Sequence, residues 1–332
     1  MDEEMGRYVM RKFLVAGLMG LGLVGAMYGA VQAQGRDDNR RHEYAFERQG
    51  YYFGYTHDSY QDVANRVVAN GQRIVYSDGY EKGNFGPRFV ARFAQAERDT
   101  GWISRHALNA DALDDFIREW VSRRNFQVDH LDSYATPDGI LYTITATETG
   151  RRTGNQRHTQ RIVHGLDPDT WRATFDEAVA DGYTLISTSV VATENDQIEV
   201  SGVFRLQEFV AFASWYGLTA EQLLRMDAEQ AANGLEPVFV ESYTSVPRDI
   251  SGEGVVRRNS KAGDSPLYVA IWRADAPAAE LTVGLQGGMF RAAMRQAERE
   301  GREVLWASAS DRLGSGEGEL GEDSFALIVS DR

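Results

Sequence analysis

Asp78 with Tyr80, Asp132 with Tyr134 and Glu241 with Tyr243 are three pairs built alike, an acid followed two residues later by a tyrosine. In an extended segment that spacing puts both side chains on one face. Each pair then offers a carboxylate beside an aromatic ring, a combination suited to holding a polar polymer such as a glycan or a peptide. These six residues are the candidate ligand-binding set. The same carboxylates could do acid–base chemistry if the fold brought two of them, Asp132 and Glu241 for example, to one substrate. Two further segments match the pairs in context but carry Val191 and Ser310 where the tyrosine would be. That absence favours a plainer expectation, in which the ring packs beside a turn and the acid is solvated.

Other chemistries lack their residues. The chain has no Cys, which removes disulfides, thiolate metal sites and thiol nucleophiles. None of Lys12, Lys82 and Lys261 lies three residues after a serine, and no G-x-S-x-G occurs, so the usual serine-hydrolase motifs are excluded. The histidines, His42, His57, His106, His130, His158 and His164, include no i, i+4 pair and no H-E-x-x-H. Glu317, Glu319, Glu322 and Asp323 gather acids without the ligand spacing of a calcium loop. No metal and no cofactor is expected. Two basic clusters, Arg151, Arg152, Arg157, His158 and Arg161, then Arg257, Arg258 and Lys261, read as solvated connectors, with an anionic partner as the alternative.

The elements that position these residues repeat five times. Each copy starts with an apolar residue, a polar helix cap and a second apolar residue four positions after the cap: Tyr55, Thr56 and Tyr60; Leu108, Asn109 and Leu113; Leu166, Asp167 and Trp171; Leu218, Thr219 and Leu223; Leu285, Gln286 and Phe290. The cap accepts from free backbone N–H groups and the flanking pair forms a hydrophobic staple. Gln286 is the weakest cap. Gly71, Gly182, Gly234 and Gly301 fall where a left-handed turn would end each helix; Arg124 takes that place in the second copy, with Asn125 as its substitute. A strand, a turn and a second strand follow each helix, the first strands being expected over 73–77, 126–132, 183–189, 237–241 and 303–307. Several of these are apolar at consecutive positions, as in Ile74-Val75-Tyr76 and Val304-Leu305-Trp306, which predicts burial on both faces. His106 and His164 fall at the repeat position held by Phe53 and Tyr216 elsewhere, so they are expected to pack.

The unit resembles the bacterial tandem repeat family, also described as the polyglycine hydrolase-like structural repeat. The resemblance is carried by His164-Gly165-Leu166 with Trp171, by Gly182-Tyr183 and by the closing strand Tyr268-Val269-Ala270-Ile271-Trp272, and it spans Gly54 to Ser330. It implies non-catalytic modules, which in that family are sometimes joined to a β-lactamase-like serine hydrolase domain; the motifs of such a domain are missing here. The fold expected is α+β, five tandem helix-strand-strand repeats (54–94, 104–147, 160–206, 212–273 and 282–331) stacked into a curved or closed domain.

The 332 residues carry a net charge of -14, which disfavours nucleic acid as a partner. Arg11 and Lys12, the apolar run from Phe13 to Tyr28 and the ending Val31-Gln32-Ala33 read as a signal peptide over 1–33, followed by a lead-in over 34–53. The alternative is an uncleaved anchor; after cleavage no stable membrane span is expected. The sequence as a whole points to an extracytoplasmic, periplasmic or secreted, binding or scaffold protein without catalysis, its partner a cell-envelope polymer or another envelope protein. The alternatives are a hydrolase acting on cell-wall peptide or glycan through carboxylates, and a structural subunit of an envelope assembly.

Overall fold

The computed structural model describes residues 46–81, 86–97, 100–136, 138–149, 159–192, 197–206, 210–243, 266–310 and 323–331. The expected signal segment, the basic residues Arg151, Arg152, Arg157, His158, Arg257, Arg258 and Lys261, and the acids Glu317, Glu319 and Glu322 lie outside them.

Each repeat begins one strand earlier than the helix. The first comprises β1 (Phe46–Arg48), β2 (Tyr51–Thr56), α1 (His57–Ala69), β3 (Gln72–Glu81) and β4 (Pro87–Gln95). The second has β5 (Trp102–Leu108), α2 (Ala110–Phe116) prolonged by a π-helical segment (Ile117–Arg123), β6 (Phe126–Thr136) and β7 (Gly139–Glu148). The third has β8 (Gln160–Leu166), α3 (Pro168–Ala180), β9 (Tyr183–Ala192) and β10 (Ile198–Leu206). The fourth has β11 (Phe212–Leu218), α4 (Ala220–Ala232), β12 (Glu236–Tyr243) and β13 (Leu267–Arg273), and the fifth β14 (Ala279–Leu285), α5 (Gly287–Glu300), β15 (Val304–Ser310) and β16 (Ser324–Ser330). In every repeat the closing strand is flanked by the leading strand and by the first strand after the helix, all antiparallel, and β1 adds a fourth strand to the first sheet.

The leading strand corrects the expected helix-and-hairpin unit. It is short and ends on a bulge, where Gly54, Ala107, Gly165, Gly217 and Gly284 have φ between 56° and 76° and the register slips in all five sheets. A left-handed residue there swings the chain from strand into helix within two residues. The helix starts follow expectation. Thr56, Asn109, Asp167 and Thr219 accept from N–H groups of the first turn, and Gln286 makes no side-chain cap. The staple partners share one core in each repeat. Gly71, Gly182, Gly234 and Gly301 are left-handed. In the second repeat the wider π turn takes up an extra residue, so the left-handed position moves from Arg124 to Asn125, at φ 58°.

Five cores lie between neighbours. Each helix packs on its own hairpin and is covered by the leading strand of the next repeat: His106 sits 5.1 Å edge-on to Tyr60 and 5.8 Å from Phe89. His164 lies 5.3 Å from Tyr142, and Phe212 6.0 Å from Phe175. The two histidines therefore pack, as their repeat position predicts. The last core is covered by the first repeat, with Phe53 4.7 Å edge-on to Phe290 and 6.2 Å from Phe325. The five sheets thus gather about one centre with β15 against β3, yet they remain separate sheets and none closes into a barrel.

The first strands are longer than expected and carry a second bulge, at Val75, Asp129, Ile186, Val238 and Leu305. Beyond it, Tyr76–Tyr80, His130–Tyr134, Ser187–Val191, Phe239–Tyr243 and Ala307–Ser310 are buried at every residue. The expected burial of both faces is therefore present, and it places the acid–tyrosine pairs inside strands rather than beside a turn.

Candidate functional site

Past that bulge, alternate residues of the five first strands form layers. Tyr76, His130, Ser187, Phe239 and Trp306 make the first, in which Tyr76 stacks on Trp306 at 3.9 Å between centroids. Phe239 lies 4.6 Å and His130 5.3 Å from Trp306. Burial pushes the His130 imidazole down to about 3, so it sits neutral among aromatic rings. Asp78, Asp132, Ser189, Glu241 and Ser308 make the second layer; Tyr80, Tyr134, Val191, Tyr243 and Ser310 make the third.

The second layer brings together the three acids that the sequence singled out. One carboxylate oxygen from each of Asp78, Asp132 and Glu241 lies within 4.8 Å of the other two, and the residues are 2%, 0% and 4% exposed. Their place follows from the topology. The first strands are sheet edges, so N–H groups turned away from the closing strand need other partners. The next repeat supplies them. Asp78 Oδ2 accepts from the Ala309 N–H at 3.4 Å and Asp132 Oδ2 from that of Gly79 at 2.7 Å. Ser189 Oγ accepts from the Ser133 N–H at 2.9 Å and Glu241 Oε1 from that of Val190 at 3.3 Å. Each donor is the residue after the second-layer residue of the preceding repeat. Ser308, the fifth member, is wholly buried and its hydroxyl has no partner. The first layer uses the same device: the Tyr76 hydroxyl accepts from the Ala307 N–H at 2.9 Å and donates to its carbonyl at 2.6 Å.

Three carboxylates at this separation resist joint ionisation. Two unit charges about 5 Å apart repel by roughly 3 kcal/mol at an effective dielectric of ~20, and among the described residues no Lys or Arg forms an ion pair with any of the three. Burial, then the charge of Asp132, holds the Asp78 carboxyl well above the usual carboxylate range. Burial, then the charges of Asp132 and Asp78, does the same to Glu241. Burial lifts Asp132 to about 7 against the hydrogen bonds from Gly79 and Ser189 that lower it. The Ser189 hydroxyl lies 3.0 Å from Asp132 Oδ1 and 2.9 Å from Glu241 Oε1 and carries a single proton to give.

The tyrosines do not form the aromatic platforms suggested by the sequence. Tyr80, Tyr134 and Tyr243 are 5%, 2% and 6% exposed and fill seams between repeats. Tyr134 lies over Gly79 and edge-on to Phe89 at 5.6 Å. The Tyr80 hydroxyl donates to Asp323 at 2.9 Å, and Tyr243 joins the core of the third repeat. A strand covered on both faces leaves neither member of a pair a side toward solvent, so the acids are not solvated either. The sequence reading missed Ser189 and Ser308. The signal was available: Asp78, Asp132, Ser189, Glu241 and Ser308 each lie seven residues after the left-handed residue that ends the helix, Gly71, Asn125, Gly182, Gly234 or Gly301.

An open groove of about 480 Å³ lies elsewhere, between the π-helical segment and β8, lined by residues that include Ile117, Val121, Phe126, Gln127, Gln160 and Ile162; no acid lines it.

A family model described as polyglycine hydrolase-like, structural repeat, matches residues 51–96, 160–205 and 209–274. These are the first, third and fourth repeats, each taken from the leading strand to the closing strand. No curated protein matches the chain.

Proposed function

Because the chain belongs to the polyglycine hydrolase-like structural repeat family, we propose that it is an extracytoplasmic scaffold or binding protein with no chemistry of its own. The observation that carries this reading is the burial of all six candidate residues in seams between repeats. Their polar atoms cap backbone N–H groups and their rings fill cores, so no acid–base pair is presented to a polymer. The partner is a cell-envelope polymer or another envelope protein, and export rests on the signal-like segment over 1–33.

One observation favours the rival hydrolase. Asp132 and Glu241 do meet, through the Ser189 hydroxyl, and Asp132 has its carboxyl near 7, where a general acid or base works best. Access decides against it, since a glycan or peptide strand cannot reach atoms inside a closed layer. Purified protein incubated with peptidoglycan, other glycans or Gly-rich peptide is expected to release no soluble product, and retention on one of these polymers or stoichiometric co-purification with an envelope protein identifies the partner. Turnover abolished by Asp132→Asn in a folded variant would reverse the assignment.

A further inference from the structure

The second layer holds more negative charge than its capping role requires, and it is sealed. Tyr76, His130, Phe239 and Trp306 close one side, and Tyr80, Tyr134 and Tyr243 lie two residues further along the same strands. Two buried polar atoms of the layer have no hydrogen-bond partner: Glu241 Oε2 and the Ser308 hydroxyl. Ser308 completes the five-residue layer beside Asp78, because the next residue, Ala309, donates its N–H to the Asp78 carboxylate. Trp306, two residues earlier on the same face, stacks on Tyr76 of the same neighbour.

We propose that Asp78, Asp132, Glu241 and Ser308 form a binding site for one hard divalent cation, calcium foremost, at the centre of the five repeats. The donors are all oxygen, as such a cation prefers. The carboxylate oxygens, all within 4.8 Å of one another, can share one cation at a calcium–oxygen distance of about 2.4 Å, whereas magnesium usually keeps several of its waters, for which a sealed layer has little room. Thiolate is absent and His130 belongs to the aromatic layer, so the set does not suit zinc or copper. Two positive charges offset two of three carboxylates, and the neutral donors on Gly79, Val190 and Ser189 serve the remaining charge. The competing occupant is protons, held between paired carboxyl groups. The cation is structural, a pin between the first, second, fourth and fifth repeats, and the inference goes beyond the scaffold reading without depending on it.

The full chain, purified without chelator, is assayed for metal by mass spectrometry and for melting near pH 8 in calcium, magnesium or EGTA. The expected result is one calcium per chain and, if Kd is about micromolar, a melting point roughly 10 °C higher in millimolar calcium than in EGTA. Terbium substituted for calcium should show emission sensitised by Trp306, lost in Trp306→Phe. Glu241→Gln should abolish the calcium shift while melting in EGTA no lower than the parent, since it removes a buried charge. Should that variant fail to fold, Ser308→Ala supplies the test, with calcium affinity reduced several-fold and melting in EGTA unchanged. No bound metal together with identical melting in calcium, magnesium and EGTA overturns the proposal and leaves the layer to protons. Polymer turnover would sink the scaffold reading and leave this one standing.

Discussion

Replacing Tyr76 with Phe should loosen the contact by which the fifth repeat meets the first. The Tyr76 hydroxyl both accepts from the Ala307 N–H and donates to the Ala307 carbonyl, across 231 positions of sequence, and Ala307 is wholly buried. Phe keeps the ring and its 3.9 Å stack on Trp306, so packing changes little while two backbone groups lose their partner. A buried unsatisfied group costs about 1–3 kcal/mol, which predicts a loss of roughly 2–5 kcal/mol. Tyr51→Phe provides the graded comparison, because its hydroxyl donates to one backbone group, the Val304 carbonyl at 3.0 Å, where Tyr76 serves two; about half the loss is expected there. Urea denaturation of both variants gives the magnitudes, and hydrogen exchange locates them, since the Ala307 amide should lose protection in Tyr76→Phe alone. A Tyr76→Phe variant within about 0.5 kcal/mol of the parent, with the Ala307 amide still protected, would refute the contact and the energetic reasoning together.

At Gly79 an added Cβ would stand 2.5 Å from the Tyr134 ring, so Gly79→Ala should cost about 1–3 kcal/mol as an overpacked seam. Tyr134→Leu in the same chain should recover part of it in a double-mutant cycle. Ala107 holds the left-handed bulge position, at φ 56°, where the other four repeats have glycine; Ala107→Gly should raise stability by about 0.5–1 kcal/mol, measured by thermal or urea unfolding. In EGTA, Asp132 should make the fold less stable as pH rises. Its folded value, about 7, lies above the ordinary carboxylate value of 3.8, so its contribution is complete below about pH 4 and is lost as pH rises through about 7. The span of about 3 units corresponds to roughly 4 kcal/mol. Unfolding free energies of the parent and Asp132→Asn, measured from about pH 4 to 8, should therefore diverge by that order. Parallel curves would show that the carboxyl is ionised throughout.

Much of the fold could be read from local signals. Helix caps, staples and left-handed ends are set by residues within a few positions of one another, and Thr56, Asp167 and Thr219 cap as their types predict. The leading strands were hidden because a bulge breaks the two-residue alternation within six or seven residues, as between Trp215 and Leu218. The first strands looked shorter than they are because Ser77, Asp78 and Gly79 resemble a turn, whereas in a strand covered on both faces they are interior positions. Asp132 and Glu241 were candidates by composition alone; their meeting depends on packing between repeats, which no spacing along the chain encodes.

A first strand at the edge of its sheet would ordinarily invite another strand to pair with it. Here five such edges face one another, and side chains replace the ladder: Tyr76 and Ser187 in one layer, Asp78, Asp132, Ser189 and Glu241 in the next. The comparison between repeats separates what capping needs from what it does not. Ser189 accepts from the Ser133 N–H at 2.9 Å and Asp132 from the Gly79 N–H at 2.7 Å, so a neutral hydroxyl does the work that the carboxylate does, without the cost of burying a charge. Asp78 is farther from its donor, at 3.4 Å, and caps less well than the serine. Charge is thus surplus to the seam at the very positions where three carboxylates converge, and a proton or a cation must occupy the space between them for the layer to remain buried.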